Sequence, residues 1–101
     1  MKLFISQPMN GKTNEEIKKE REAAVETVKQ MYSDKEIEVI DSFFEDAPHD
    51  AKPLWFLGKS LQLLSTADLA YFCAGWDKAR GCKIEHECAE AYDIGTIEAL
   101  V

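Results

Sequence analysis

In the stretch GWDKARGCKIEHECAEAY, residues 75–92, Arg80 and Gly81 stand immediately ahead of a helical pattern that carries Glu85, His86 and Glu87. A carboxylate one turn inside a helix can hold a proton, give one up, or attack an electron-poor carbon. Arg80 and the free backbone N–H groups of a helix start would converge on one point, as a phosphate or carboxylate ligand requires. Glu85, four residues on from Gly81 and one turn inside the helix, lies above the same end of the sheet. Glu87 is two residues further and points elsewhere, because i and i+2 do not share a helix face. A helix carboxylate ordinarily meets only water, so what Glu85 can do depends on the strand and loop that precede it.

That strand is DLAYFCAGW, residues 68–76, almost continuously apolar, as a strand buried on both faces should be. It reads as the central strand. KLFIS at 2–6 is a first short strand, broken by the loop formers of QPMNGKT. Thr13 with Glu16 three residues on is a capping box. Ile17, Ala24, Val25, Val28 and Met31 then recur at helical spacing, predicting a helix over 14–32. EIEVID at 36–41 reads as a second strand and is followed by a long loop. Leu54, Leu57, Leu61 and Leu64 mark a second helix with Gly58 as its weak point. A third helix runs from Gly81 to about Tyr92 with Ile84, Cys88, Ala89 and Ala91 or Tyr92 inward, and GTIEALV closes as a last strand.

The order β-α-β-α-β-α-β implies a three-layer α/β/α, flavodoxin- or Rossmann-like fold, with a short parallel sheet of about four strands and helices on both faces. Residues 1–101 form one domain. In such sheets ligands sit outside the carboxyl ends of the strands, at the switch in strand order. Three loops therefore matter. In the first, Ser6, Gln7, Pro8, Met9 and Asn10 offer hydrogen bonds and a turn, and Gly11 lets backbone approach a ligand. Neither GxGxxG nor GxxxxGK[ST] is present. In the second, Asp41 and Ser42 leave a strand where a sugar hydroxyl would be held. Phe43, Phe44 and Trp55 either wall a nucleobase or pack as core or as a subunit contact. In the third, Trp76, Asp77, Arg80 and Gly81 face the same end.

Twelve Lys and Arg against nineteen Asp and Glu give a net charge of −7, which disfavours a nucleic-acid polymer and an anionic membrane but leaves room for a small phosphorylated ligand. The chain has three cysteines, Cys73, Cys82 and Cys88, without CxxC spacing; this argues against a disulfide framework or a zinc site and fits a reducing cytoplasm. No metal or cofactor is expected. The amino-terminal run is too short for a signal-peptide core, and no apolar run reaches membrane-spanning length.

LFISQPMNG, STADLAYF and ARGCKIEHECAEAY together resemble the nucleoside 2-deoxyribosyltransferase-like superfamily, most closely its short bacterial and phage branch, over nearly the whole chain. Gly81, Cys82, Lys83, Ile84, Glu85 and Ala89 hold the spacing of that superfamily's nucleophile motif. The resemblance implies that Glu85 attacks C1′ of a deoxyribose and expels the base, and that Asp68 is the acidic residue near the nucleobase. It departs from the superfamily at Ala79, where an acidic residue usually stands, with Asp77 nearby; at Glu87, in place of a Gly; and in the first loop, which lacks a tyrosine.

The expected activity is thus an N-glycosidic transferase or hydrolase acting on a deoxynucleoside or its 5′-monophosphate, Arg80 being the reason to include the phosphate. The alternative is a non-catalytic nucleotide-binding or sensing module with the same pocket. A chain this short that covers both faces of a sheet is expected to form a homodimer or larger homo-oligomer, with residues 43–55 as the contact.

Overall fold

The computed structural model of the chain describes residues 1–44 and 46–99. Four strands, β1 (Lys2–Ser6), β2 (Glu38–Val39), β3 (Leu69–Phe72) and β4 (Gly95–Glu98), alternate with three helices, α1 (Asn14–Met31), α2 (Pro53–Leu64) and α3 (Arg80–Ala91). Every strand pair is parallel, in the order β2-β1-β3-β4. The chain therefore crosses to β2 on one side of β1 and returns to β3 on the other, which puts the switch point between β1 and β3.

Alternation along the strands sorts the core into two layers. Leu3 and Ile5 of β1, with Leu69 of β3 and Cys73 just beyond it, pack against Ala24 and Val28 of α1. Phe4, Ala70 and Phe72 point the other way, onto Leu64 of α2 and Ala89 of α3. The period of two is what separates them. Each fully buried Leu, Ile or Phe in these layers contributes about 1.5–3 kcal/mol.

The start of α1 is fixed as its spacing predicts. The Thr13 hydroxyl accepts from the Glu16 amide at 3.1 Å while the Glu16 carboxylate accepts from the Thr13 amide at 2.9 Å. The Thr13 backbone amide foremost, and then its hydroxyl, hold the Glu16 carboxyl below its usual range.

Several boundaries differ from the expectation. The central position is shared by β1 and β3, and β3 stops at Phe72. Beyond it Gly75, at φ 87°, turns the chain in the left-handed region that a side chain resists. β2 has only two residues, although Glu38 and Ile40 donate to Met1 and Leu3 carbonyls at 2.9 Å and carry the pairing further. The last strand is Gly95–Glu98; Leu100 and Val101 of the expected strand lie outside the described residues.

Leu54, expected inward, is 75% exposed, and only Leu64 of the five leucines of α2 is buried. The amino-terminal half of this helix borders a cavity instead of the sheet. Tyr92 is 80% exposed and Ala91 is also outside. The buried stripe of α3 is Cys82, Glu85 and Ala89, spaced i, i+3, i+7. Apolar patterning assigns a glutamate outward, and that shifts the whole inner face by about one residue. Met31 is exposed for a simpler reason, being the last residue of α1.

Candidate functional site

At the carboxyl ends of β1 and β3 lies a cavity of about 940 Å³, within the usual range for small-molecule sites. Loop residues after β1, the segment after β2, the first half of α2 and the start of α3 enclose it. Glu85 is on its wall and is only 7% exposed.

The strand period explains how Glu85 is held. Ser6 shares a face with Phe4, so its side chain turns toward α2 and α3. Its hydroxyl donates to Glu85 Oε1 at 2.6 Å. Burial pushes the Glu85 carboxyl above its ordinary range, and the hydroxyls of Ser6 and Ser60 pull it partway back. Cys82, one turn earlier on α3, also lines the cavity, and burial raises its thiol to about 11. Cys73, on the opposite layer, is raised by burial to about 12. Both thiols are protonated at neutral pH and are poor nucleophiles.

Gln7 takes the other face of the sheet. Its amide nitrogen donates to the Ile17 carbonyl at 3.0 Å and to Glu20 at 2.7 Å, and Lys12 reaches the same Glu20 oxygen at 2.9 Å. Arg21 donates to Gln7 Oε1 at 3.3 Å and to Ser42 Oγ at 2.6 Å, and Ser42 in turn donates to the Ile5 carbonyl. Burial lowers the Arg21 pKa, with Cys73 and Asp41 acting in the opposite direction. This chain of polar contacts ties the first and second loops to α1, so Gln7 and Ser42 border the cavity as parts of a fixed frame.

Of the residues singled out in the sequence, Gln7, Pro8, Met9, Asn10, Ser42, Arg80, Gly81 and Glu85 line this cavity, and Ser6 backs it. Gly11, at φ 79°, makes the turn before α1 and does not line it. Asp41 belongs to a neighbouring cleft with Lys18, Arg21, Glu22 and Asp46, its Oδ1 facing the Phe43 amide. Trp76 is stacked on the His86 ring at 4.1 Å and leans on Phe72, so it is packing beneath α3 and no part of the cavity wall. Asp77 is exposed in a 3-10 turn, Trp76–Lys78, off the cavity.

Asp68 is a clear correction. It stands at the amino end of β3, where its carboxylate accepts from the Lys2 amide at 2.7 Å. The four residues of β3 span about 13 Å, so Asp68 and Glu85 lie at opposite ends of the sheet. His86 is likewise structural: Nε2 meets Glu98 at 2.7 Å and Nδ1 faces Glu90 at 3.4 Å, fastening β4 to α3.

The sequence reading missed Ser60, Leu57, Lys52 and Cys82 on the wall and Arg21 behind it. A signal was present. Ser60 falls on the stripe Pro53–Leu57–Ser60–Leu64, and Arg21 on Ile17–Arg21–Ala24–Val28, each at i, i+4, i+7, i+11. Phe43, Phe44 and Phe56 give the cavity one aromatic side; Trp55 sits behind, edge-on to Phe44 and Phe56. The starts of α2 and α3 have no side-chain cap, and Lys52 and Arg80 stand beside them. Their orphan N–H groups and two cations favour an anion there.

Among the described residues no group of His, Cys, Asp and Glu could hold a metal ion, and no helix is long and apolar enough to cross a membrane. Comparison of the chain with protein-family models, curated proteins and solved structures found no match.

Proposed function

We propose that the protein is an N-glycosidic hydrolase or transferase acting on a deoxynucleoside or deoxynucleoside 5′-monophosphate, with Glu85 as nucleophile. The observation that carries this reading is a carboxylate buried at the wall of a ligand-sized cavity, at the switch point of a parallel sheet, held by Ser6 at 2.6 Å. The resemblance of GCKIE and the first loop to the deoxyribosyltransferase-like superfamily agrees with it.

In this reading a Glu85 oxygen attacks C1′ as the C1′–N bond breaks and its electron pair leaves with the base, which takes up a proton. The anionic carboxylate first stabilises the oxocarbenium-like charge and then forms a glycosyl ester. Water or a second base attacks C1′ from the other face and frees the carboxylate, so configuration is retained. Phe43, Phe44 and Phe56 would flank the base, and Lys52 and Arg80 would take a 5′-phosphate. Neither cation forms an ion pair among the described residues.

One observation favours the alternative, a nucleotide-binding module without turnover. Glu85 is the only carboxylate among the described residues of the cavity wall, and Asp68 is too remote to protonate a leaving base. Incubation with deoxynucleosides and their 5′-monophosphates, followed by chromatography for free base, separates the two. Release by wild type and not by Glu85→Gln supports the enzyme. Ligand-induced thermal stabilisation without release supports the binding module.

The three free cysteines agree with a cytoplasmic setting. Exposed Leu54 and Phe56, beside Phe44 and Trp55, support a homodimer or larger assembly through this face; a monodisperse monomer in sedimentation at micromolar concentration would end that reading.

A further inference from the structure

We propose that Glu20 is a positioning residue for the first loop: one of its carboxylate oxygens grips both ends of the segment from Gln7 to Lys12, and this grip keeps Met9 and Asn10 on the cavity wall. The inference rests on the reading of the cavity as a nucleotide site, in which this loop meets the ligand.

The loop leaves β1 after Ser6 and enters α1 at the Thr13 cap, and it is fastened to the helix it leads into. At its first end the Gln7 amide donates to Glu20 Oε1 at 2.7 Å, and at its last end the Lys12 ammonium reaches the same oxygen at 2.9 Å. Between them the Lys12 amide donates to the Met9 carbonyl at 3.2 Å, closing a turn over Met9, Asn10, Gly11 and Lys12. Gly11 is at φ 79° and Asn10 is outside the left-handed region, the pattern of a type II turn. Such a turn fixes its own shape, and its place over the cavity must come from its ends.

The two ends depend on Glu20 unequally. Gln7 has further anchors, donating to the Ile17 carbonyl at 3.0 Å and accepting from Arg21 at 3.3 Å. Among the described residues Lys12 forms no ion pair except that with Glu20. The side chains of this pair are 30% and 29% exposed, and a pair so open to water adds little to overall stability. Its loss therefore loosens the loop and leaves the fold standing. With the Gln7 amide spent on the frame, Asn10 is the hydrogen-bonding side chain that this loop has left to offer a ligand.

The test reads the loop and the ligand separately. Nitrogen relaxation by NMR gives backbone order parameters for Asn10, Gly11 and Lys12, expected at about 0.85 in wild type and below about 0.6 in Glu20→Ala. Val28 should stay rigid and circular dichroism unchanged, alanine being the better helix former. Lys12→Met should loosen the turn in the same way, and Lys12→Arg should restore it. Calorimetry with the common deoxynucleoside 5′-monophosphates should show Kd raised about tenfold or more in Glu20→Ala, the factor carried by one lost hydrogen bond to a charged group. In base release KM should rise while kcat is kept. Unmoved order parameters in folded Glu20→Ala overturn the assignment, and so does a loosened loop with unchanged Kd. A loosened loop in a protein whose wild type binds none of these nucleotides upholds the grip of Glu20 and removes the nucleotide reading instead.

Discussion

Ser6 and Glu85 are 79 residues apart in the chain and 2.6 Å apart in the fold. The first ends the first strand and the second is on the last helix, so this bond closes the site only when both central strands and α3 are in register. Ser6→Ala leaves a buried carboxylate short of a donor. The expected loss is about 1.5–3 kcal/mol of stability at neutral pH, read from urea denaturation, with much less lost near pH 4, where the carboxyl is protonated. Equal losses at both pH values would contradict the role of the anion.

Glu85 itself works against folding at neutral pH. Its pKa is raised in the folded state above its ordinary value of 4.5, so through that interval the folded protein binds more protons than the unfolded chain. Stability therefore falls as pH rises from 4.5 through the folded pKa. Glu85→Gln, which keeps the shape and an acceptor for Ser6, should melt higher than wild type at pH 7 to 8, the difference shrinking toward pH 4. A melting difference independent of pH would show that the carboxylate is not held at a cost.

Arg21 is the charged member of an otherwise apolar stripe of α1, and it fastens Gln7 to Ser42. Arg21→Met keeps the stem and removes the donors. It should cost about 1.5–3 kcal/mol in denaturant unfolding and weaken the nucleotide binding proposed above, because both loops it joins border the cavity. Binding that survives unchanged would mean that the loops hold their positions without it.

The cysteines give a chemical readout of the two core layers. With thiols raised by burial to about 12 at Cys73 and about 11 at Cys82, neither should react with a disulfide reagent in the folded protein at pH 7.5, while half-buried Cys88 is modified first. All three should react in urea. Rapid native labelling of Cys82 would show that the cavity admits the reagent and that its thiol is more acidic than its burial implies.

The layers of this fold are legible in the sequence because its strands alternate and its helices repeat, and the capping box at Thr13 sets the start of α1 directly. What escapes such a reading is a polar residue inside an apolar stripe. Ser60 on α2 and Arg21 on α1 break the pattern of their own helices in this way, and so does Glu85 on Cys82–Glu85–Ala89, which its place after the exit of β3 brings forward although its burial does not follow from patterning. Patterning discounts them, although a buried polar group must find a partner and so marks where elements converge. Asp68 failed for a different reason. Its neighbourhood in sequence is a central strand, but position along a parallel strand decides which end of the sheet a side chain serves, and Asp68 precedes the strand while the cavity follows it.

The outermost strands decide whether the sheet could be extended by another chain. β2 offers two residues, one of them Glu38. β4 opens on a glycine and closes on Glu98, whose carboxylate is engaged by His86. Short, charged margins of this kind make poor templates for another chain's backbone. Lateral extension of the sheet into ribbons or fibrils is thus discouraged at both rims, and the homo-oligomer proposed above would form instead through side chains of the aromatic shoulder around Trp55 and Phe56.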